Sequence, residues 1–114
     1  MSQGPALLWC PFPDEEEARQ VATQLLDERL IGCANLISGM VSLYEWQGGR
    51  GEASEVGVLF KTDQLLVPTL IDRLEHLHSY DTPSITAWDA DASSQATAEW
   101  LGSLLNSGAA NEQG

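Results

Sequence analysis

The stretch "CANLISGMVSLYEWQGG", Cys33 to Gly49, decides the fold, because it predicts one long strand that runs into a hairpin. Alternation places Tyr44 and Trp46 on one face of this strand and Glu45 on the other. Gly39 lies inside the strand and indicates a bulge or bend. A strand that ends on two large aromatic rings needs something to cover those rings.

The segment "QGGRGE" (47–52) is typical of a hairpin loop, and "ASEVGVLFKT" (53–62) alternates as the return strand. Because alternate residues of a strand point to the same face, Glu55 and Lys61 are expected on one face of that strand. Both strands are long for a small sheet, so their distal half is expected to project beyond the helices. Aromatic rings on a protruding hairpin indicate that a partner chain covers them.

The residues before the hairpin predict a strand and a helix. The apolar run "PALLWC" (5–10) is bounded by prolines and favours a buried strand. The following helix is expected to be capped by Asp14, with Glu17 completing a capping box. Gly32 stands where a helix-terminating glycine is expected.

The residues after the hairpin predict a helix over 66–78, a strand over 83–89 and a short helix within 91–105 that is capped by Ser93 or Ser94. The order is β-α-β-β-α-β plus a helix, which indicates an α+β, ferredoxin-like sandwich. We expect one domain over residues 1–105 and a disordered tail over residues 106–114.

Charge and composition exclude several classes of protein. The chain has 114 residues, with 17 acidic against five basic side chains and a net charge of −12. Nucleic acid and acidic membrane surfaces are therefore not expected partners. The N-terminus has no basic or long apolar segment typical of a signal peptide, and the two cysteines are expected to be reduced, so we expect a cytoplasmic protein.

Several motifs together resemble the CutA family of divalent-ion tolerance proteins. They are "PDEEEAR" (13–19), "CANLISG" (33–39), "SLYEWQG" (42–48), "KT" (61–62) and "HSYDTPSI" (78–85), with "EWL" (99–101) near the end. The resemblance implies a ferredoxin-like fold and a PII-like homotrimer in which long hairpins add strands to neighbouring sheets. The chain departs from the family pattern at Ser79, where the family usually has proline, and at Thr97, where it usually has tyrosine.

The resemblance also implies candidate site residues. Cys10 and His78 match a family cysteine and histidine, and a thiolate with an imidazole suits Cu²⁺ or another divalent metal. Two such ligands make an incomplete site, and burial of Cys10 as a small apolar side chain is the alternative. We expect that no cofactor is required.

A second group of candidate residues is expected at clefts between subunits. The resemblance places Tyr44, Trp46, Lys61 and Tyr80 around such clefts, and Asn35 and Glu55 are further candidates in this group. The alternatives are a structural hydrogen bond for Asn35 and an ion pair between Glu55 and Lys61. Three functions follow: a non-enzymatic divalent-cation tolerance protein, a PII-like sensor that binds a small anionic ligand near Lys61, or a trimeric assembly scaffold. The sequence has no phosphate-binding loop, no dinucleotide-binding fingerprint and no motif around the cysteine and histidine, so catalysis is not expected.

Overall fold

The computed structural model describes residues 2–106. The helices and strands follow one another in the order β1 (Pro5–Phe12), α1 (Glu15–Asp27), β2 (Cys33–Trp46), β3 (Gly49–Asp63), α2 (Val67–Leu77), β4 (Thr86–Asp89) and α3 (Gln95–Gly102). Short 3₁₀ turns cover Gln64–Leu66 and Ser103–Asn106. The predicted tail lies outside the described residues except for Asn106.

The four strands form one antiparallel sheet in the order β2-β3-β1-β4. β1 pairs with β3 from Pro5 opposite Asp63 to Phe12 opposite Val56. The predicted α+β, ferredoxin-like arrangement is therefore confirmed. β2 and β4 are the two edge strands.

The main core lies between one face of the sheet and helices α1 and α2. Alternate residues of β1 and β3 are buried there, together with apolar side chains of both helices. The fully buried members of this core are Leu8, Cys10, Phe12, Ala18, Leu25, Val58, Phe60, Leu70 and Leu74. The opposite face of the sheet, which we call the outer face, carries the intervening residues, such as Trp9 and Gly57.

A bulge determines which face of the sheet the distal hairpin presents. Ile37 pairs with Gly57 and Met40 pairs with Glu55, so β2 has one extra residue at this point, and Gly39 there has a φ of 80°. The predicted irregularity at Gly39 is confirmed. Because the extra residue shifts the alternation of β2, its even-numbered residues from Met40 onward lie on the outer face.

The hairpin turn is tighter than the sequence predicts. β3 begins at Gly49, so only Gln47 and Gly48 connect the strands, with φ angles of 52° and 80°. Positive φ at both central residues is the pattern of a type I′ turn, whose twist matches that of the flanking strands. The predicted six-residue loop is therefore wrong, because 49–52 continue the ladder as far as Trp46 opposite Gly49.

Two predictions about α1 need correction. The helix ends at Asp27, and Arg29, with a φ of 58°, takes the left-handed position expected of Gly32. Gly32 instead lies under α3, where an added Cβ would stand 2.7 Å from Leu101 Cδ2. Asp14 does cap the helix by accepting from Glu17 N at 2.8 Å. The Glu17 carboxylate does not return to Asp14, and its partner is described below.

The later elements agree with the sequence in type and differ in their ends. α2 begins at Val67 with proline in its first turn, and β4 covers only Thr86–Asp89 of the predicted 83–89. Ser94 caps α3 by accepting from Thr97 N at 3.1 Å. Leu101 and Leu104 are buried, whereas Trp100 remains 46% exposed.

Candidate functional site

Cys10 and His78 meet at one backbone oxygen. Cys10 lies on β1 and points into the core, and its Sγ lies 3.7 Å from the carbonyl oxygen of Pro11. His78 ends α2, and its Nε2 lies 2.8 Å from the same oxygen. The structure therefore brings together the two side chains that the sequence proposes as metal ligands.

The Cys10 side chain is a protonated thiol at neutral pH. Burial, reinforced by the negative charges of Glu55 and Glu17, raises its pKa to about 12. Metal ligation requires the thiolate, so an ion has to displace a firmly held proton.

Both nitrogens of the buried His78 ring are already hydrogen-bonded. Since a carbonyl oxygen only accepts, Nε2 carries the proton that is donated to Pro11, and Nδ1 accepts from Tyr80 N at 3.1 Å. The ring also stacks on Phe12, with centroids 4.4 Å apart. This arrangement uses the neutral imidazole to hold the start of the loop that follows α2.

Glu17 connects α1 to that loop. Its Oε2 accepts from Ser79 N at 2.9 Å and lies 3.7 Å from His78 Nδ1. The bond requires the N–H of Ser79, and the proline that the resemblance implies at this position has none. The hydrogen bond from Ser79 therefore holds the Glu17 carboxylate away from the N-terminus of α1. Sequence reasoning assigned Glu17 only to the capping box, because its partner Ser79 lies 62 residues away in the sequence.

The metal-ligand set at this point is incomplete within one chain. Across residues 2–106, no three side chains of histidine, cysteine, aspartate or glutamate converge as a metal centre. The donors at Cys10 and His78 are neutral and hydrogen-bonded. A metal ion therefore fits this position only after a local rearrangement and with ligands from outside the chain.

A cleft of about 720 Å³ lies on the outer side of the sheet at the base of the projecting hairpin, and we call it the hairpin cleft. Its walls come from β2 and β3 on one side and from the loop between α2 and β4 on the other. The lining residues are Pro11, Ser42, Tyr44, Glu45, Trp46, Ala53, Glu55, Tyr80, Thr82, Pro83, Ser84 and Ile85. Four of these, Tyr44, Trp46, Glu55 and Tyr80, belong to the predicted cleft group.

A hydrogen bond closes the cleft between its two walls. Tyr80 Oη donates to Glu55 Oε2 at 2.8 Å. Partial burial and this bond to the carboxylate raise the pKa of Tyr80, so the phenol stays protonated and continues to donate. The ring of Tyr80 lies against His78, with centroids 4.7 Å apart.

Tyr44 and Trp46 form the distal part of the cleft and are 48% and 56% exposed. Tyr44 pairs with Gly51 across the hairpin, and its ring lies so close to this glycine that an added Cβ would stand 2.7 Å from Tyr44 Cε1. Gly51 therefore lets the ring lie across the hairpin backbone.

Two members of the predicted cleft group lie elsewhere on the same face. Lys61 pairs with Leu7 and Cys33 at the far end of β3 from the hairpin. Asn35 is exposed and its Oδ1 lies 3.5 Å from Cys33 Sγ. Within one chain, neither residue lines the hairpin cleft.

Eight lining residues were missed, and four of them, Thr82, Pro83, Ser84 and Ile85, lie in the loop that connects α2 to β4. The sequence predicted a break at Thr82 and a strand from Pro83 onward. The motif "HSYDTPSI" contains all four and was the available signal.

The family model for the CutA1 divalent ion tolerance protein matches residues 6–103. The Divalent-cation tolerance protein CutA of Pyrococcus horikoshii is 40% identical over 95 residues, which cover 83% of this chain and 92% of that protein.

Solved structures of similar proteins have the same fold. The CutA1 structure from Ehrlichia chaffeensis superposes with a TM-score of 0.85 at 29% identity, covering 91% of this chain and 96% of that one. A structure from Archaeoglobus fulgidus, described as a periplasmic divalent cation tolerance protein, reaches 0.84 at 26% identity and covers 89% and 98% of the two chains. The family model spans both the hairpin and the loop that carries His78 and Tyr80, and together with the 40% identity to the Pyrococcus horikoshii protein it shows that the chain belongs to the CutA1 divalent ion tolerance protein family.

Proposed function

We propose that the chain is a non-enzymatic, homotrimeric divalent-cation tolerance protein that binds copper or a similar divalent ion weakly. The observation that carries the metal position is the meeting of Cys10 and His78 at the Pro11 carbonyl oxygen. A net charge of −12 supports this function, because the molecule attracts cations over its whole surface.

The chemistry of this position makes binding weak and dependent on pH. An ion has to displace the Cys10 proton, whose pKa burial raises to about 12, and to take a nitrogen of His78 from its present hydrogen bond. Occupancy therefore rises with pH, because protons and the metal ion compete for the same sulfur. Residues of a neighbouring subunit complete the ligand set.

Native mass spectrometry of the reduced protein, with and without stoichiometric Cu²⁺ or Zn²⁺, tests this proposal. A trimer that takes up an integral number of ions, and loses them in Cys10→Ser but not in Cys33→Ser, is the expected result. Diffuse uptake that is equal in both variants would exclude Cys10 from metal binding.

The projecting hairpin supports the homotrimer. Large apolar side chains of β2 are exposed along it, with Leu43 75% and Trp46 56% accessible. Strand addition between hairpins and the free edges of the sheet would cover these residues and pair both edge strands. A closed threefold ring leaves no edge unpaired.

A second candidate function is a PII-like sensor of a small ligand, which the volume of the hairpin cleft favours. For an anionic ligand, the positive charge has to come from Lys61 of a neighbouring subunit, since no lysine or arginine among the described residues lines the cleft of its own chain. Lys61→Ala would then abolish ligand binding and leave metal uptake unchanged, and titration calorimetry distinguishes the two outcomes.

The cytoplasm is the proposed location. Both cysteines are free thiols, as expected in a reducing compartment. None of the helices in the described part of the chain is long and apolar enough to cross a membrane. The relative from Archaeoglobus fulgidus is described as periplasmic, so fractionation of cells with an antibody against this chain is the direct test.

A further inference from the structure

We propose that Glu17 orients His78 when its Nε2 becomes a metal ligand, by accepting a hydrogen bond from Nδ1, and that this exchange of partners releases the backbone N–H of Tyr80. This role rests on the metal position proposed for Cys10 and His78. It makes Glu17 a positioning residue and not a metal ligand. The loop that follows α2 therefore differs between the metal-free and the metal-bound protein.

The two ring nitrogens of His78 face different partners. Nε2 lies 2.8 Å from the carbonyl oxygen of Pro11, which is the same oxygen that Cys10 Sγ approaches to 3.7 Å. Nδ1 lies 3.1 Å from Tyr80 N and 3.7 Å from Glu17 Oε2. Nε2 is therefore the nitrogen on the side of the thiol, and it is the one placed to share an ion with Cys10.

The ring proton of His78 has to change nitrogen when Nε2 becomes a ligand. In the metal-free chain Nε2 carries this proton, because the carbonyl oxygen of Pro11 only accepts. A nitrogen that ligates a metal presents a lone pair, so the proton of the neutral ring then resides on Nδ1. The imidazole stays neutral, since Nε2 gives up one proton and Nδ1 takes up one from water. Only Cys10 releases a proton, as it forms the thiolate.

A protonated Nδ1 cannot keep its present hydrogen bond. Tyr80 N is itself a donor, so an N–H group at Nδ1 leaves two donors facing each other. The carboxylate of Glu17 is an acceptor, and a movement of roughly 1 Å brings its Oε2 to hydrogen-bonding distance. Histidines that bind metals almost always donate the other ring N–H, often to a carboxylate, which fixes the tautomer and the orientation of the ring.

Glu17 is already held beside the ring. Its side chain is 20% exposed, and its Oε2 accepts from Ser79 N at 2.9 Å. A carboxylate oxygen has two lone pairs, so Oε2 can accept from Nδ1 and keep the bond from Ser79. Phe12, which stacks on the imidazole, offers no acceptor. The exchange therefore frees the N–H of Tyr80 and leaves that of Ser79 bonded, so two adjacent amides should respond differently.

NMR of the full chain, uniformly labelled with ¹⁵N and measured with and without stoichiometric Zn²⁺, tests the exchange. The proton of His78 should reside on Nε2 without the ion and on Nδ1 with it, while the exposed His76 serves as the internal reference. Hydrogen exchange of the Tyr80 amide should become at least tenfold faster with Zn²⁺. Exchange of the Ser79 amide should not change.

A matched pair of variants tests the contribution of the carboxylate to affinity. Glutamine in Glu17→Gln keeps an acceptor for Ser79 N but is a weaker acceptor for Nδ1. Titration calorimetry should therefore show Zn²⁺ affinity about 10–100-fold lower, as when other carboxylate partners of ligating histidines are removed. Glu16→Gln removes the same charge from the adjacent, exposed position on α1 and should leave the affinity unchanged.

The outcomes separate the role of Glu17 from the metal position itself. Zn²⁺ uptake that is equal in wild type and Cys10→Ser would overturn the metal position, and the role of Glu17 with it. If uptake depends on Cys10, three results would overturn the role of Glu17 alone: a proton that stays on Nε2, a Tyr80 amide that stays protected, or equal affinity of Glu17→Gln and Glu16→Gln. If Glu17→Gln fails to fold, the two NMR measurements on wild type decide.

Discussion

Cys10 links the core to the candidate metal position at the scale of a single residue. Its side chain is fully buried, and its thiol contacts the same oxygen as His78. The folded chain therefore holds the thiol proton more tightly than the unfolded chain does, which couples stability to pH.

Stability should consequently fall in alkaline solution because of this one group. The pKa of Cys10 is raised from 9.0 to about 12, so its contribution is fully present below pH 9 and is lost as the pH rises toward 12. In this window the unfolded state releases the proton first, which lowers the free energy of unfolding by about 1.4 kcal/mol per pH unit. Urea unfolding of wild type and Cys10→Ser measures the effect, because serine keeps a donor near Pro11 and does not ionise. A constant difference between the two proteins across pH 8–11 would contradict it.

A second prediction at the scale of single residues concerns Gly57. It lies on the outer face beneath Trp9, and an added Cβ would stand 2.8 Å from Trp9 Cζ2 and 3.2 Å from Met40 Sδ. Gly57→Ala should therefore lower the free energy of unfolding by about 1–3 kcal/mol, as overpacking does. Gly49→Ala is the matched control, since its added Cβ meets the Trp46 carbonyl oxygen at an ordinary 3.6 Å. Equal urea midpoints for the two variants would show that the Trp9 ring moves freely.

At the scale of elements, a bidentate ion pair joins the two helices that cover the sheet. Arg73 on α2 donates through Nε and Nη2 to the two carboxylate oxygens of Glu28 at 2.8 and 2.7 Å. The hydrogen bonds from Arg73 and then Gln24 lower the pKa of Glu28 to about 2. Both side chains are about 30% exposed, so solvent reduces the energy of the pair.

Loss of this pair should destabilise the protein modestly and only above acidic pH. The pKa of Glu28 is lowered in the folded state, so its contribution is present above its ordinary value of 4.5 and disappears as the pH falls toward 2. Glu28→Gln should lower the urea midpoint at pH 7, and Arg73→Gln should add little to it in the double variant. Glu75→Gln removes a charge from an exposed position on α2 and serves as the control. Additive effects of Glu28→Gln and Arg73→Gln would show that the pair contributes no coupling.

The sequence predicts the elements better than their ends, for reasons visible at particular residues. The alternation of 33–46 and the stripe of α1 predict β2 and α1, because burial of one face dictates the period. The left-handed conformation of Arg29 was missed because the prediction looked for a glycine at the end of α1, and residues other than glycine can also adopt a positive φ. The contact of Glu17 with Ser79 joins residues far apart in sequence, so no local pattern could place it.

The candidate site was predictable only in part. The resemblance implied that Tyr44, Trp46 and Tyr80 surround clefts between subunits, and the structure places these three, together with Glu55, around the hairpin cleft of one chain. The alternation of residues along β3 correctly placed Lys61 on the same face of the sheet as Glu55. Alternation does not show how far apart two residues on one face lie along the strand. The protonation of Cys10 and the tautomer of His78 depend on tertiary burial, which the sequence does not show.

The whole molecule is elongated by its hairpin. Its principal extents are 50 × 30 × 23 Å and its radius of gyration is 15.2 Å, against about 13 Å for a compact domain of this length. The additional length carries the exposed side chains of Val41, Leu43, Tyr44 and Trp46. A solitary chain would expose an aggregation-prone strand edge along this whole segment.

Charges placed on this surface should dissociate the proposed homotrimer. Leu43→Glu combined with Trp46→Glu would place two carboxylates where neighbouring chains meet, and burial of an unpaired charge is strongly unfavourable. Light scattering coupled to size exclusion should report a monomer whose circular dichroism is largely retained. Leu26→Glu, at an exposed position on α1, should remain trimeric. A double variant that stays trimeric would move the interface away from the hairpin.

The strand register also sets an order in which the chain can fold. Pairing within the hairpin joins close neighbours such as Tyr44 and Gly51, and such hairpins form in roughly 1–10 μs. Pairing of β1 with β3 has to close the much longer loop from Pro5 to Asp63, and pairing of β1 with β4 closes a loop that extends from Ala6 to Asp89. During synthesis the hairpin leaves the ribosome before β4 does. In the proposed homotrimer, the hairpins are therefore the first contact surfaces that nascent chains expose.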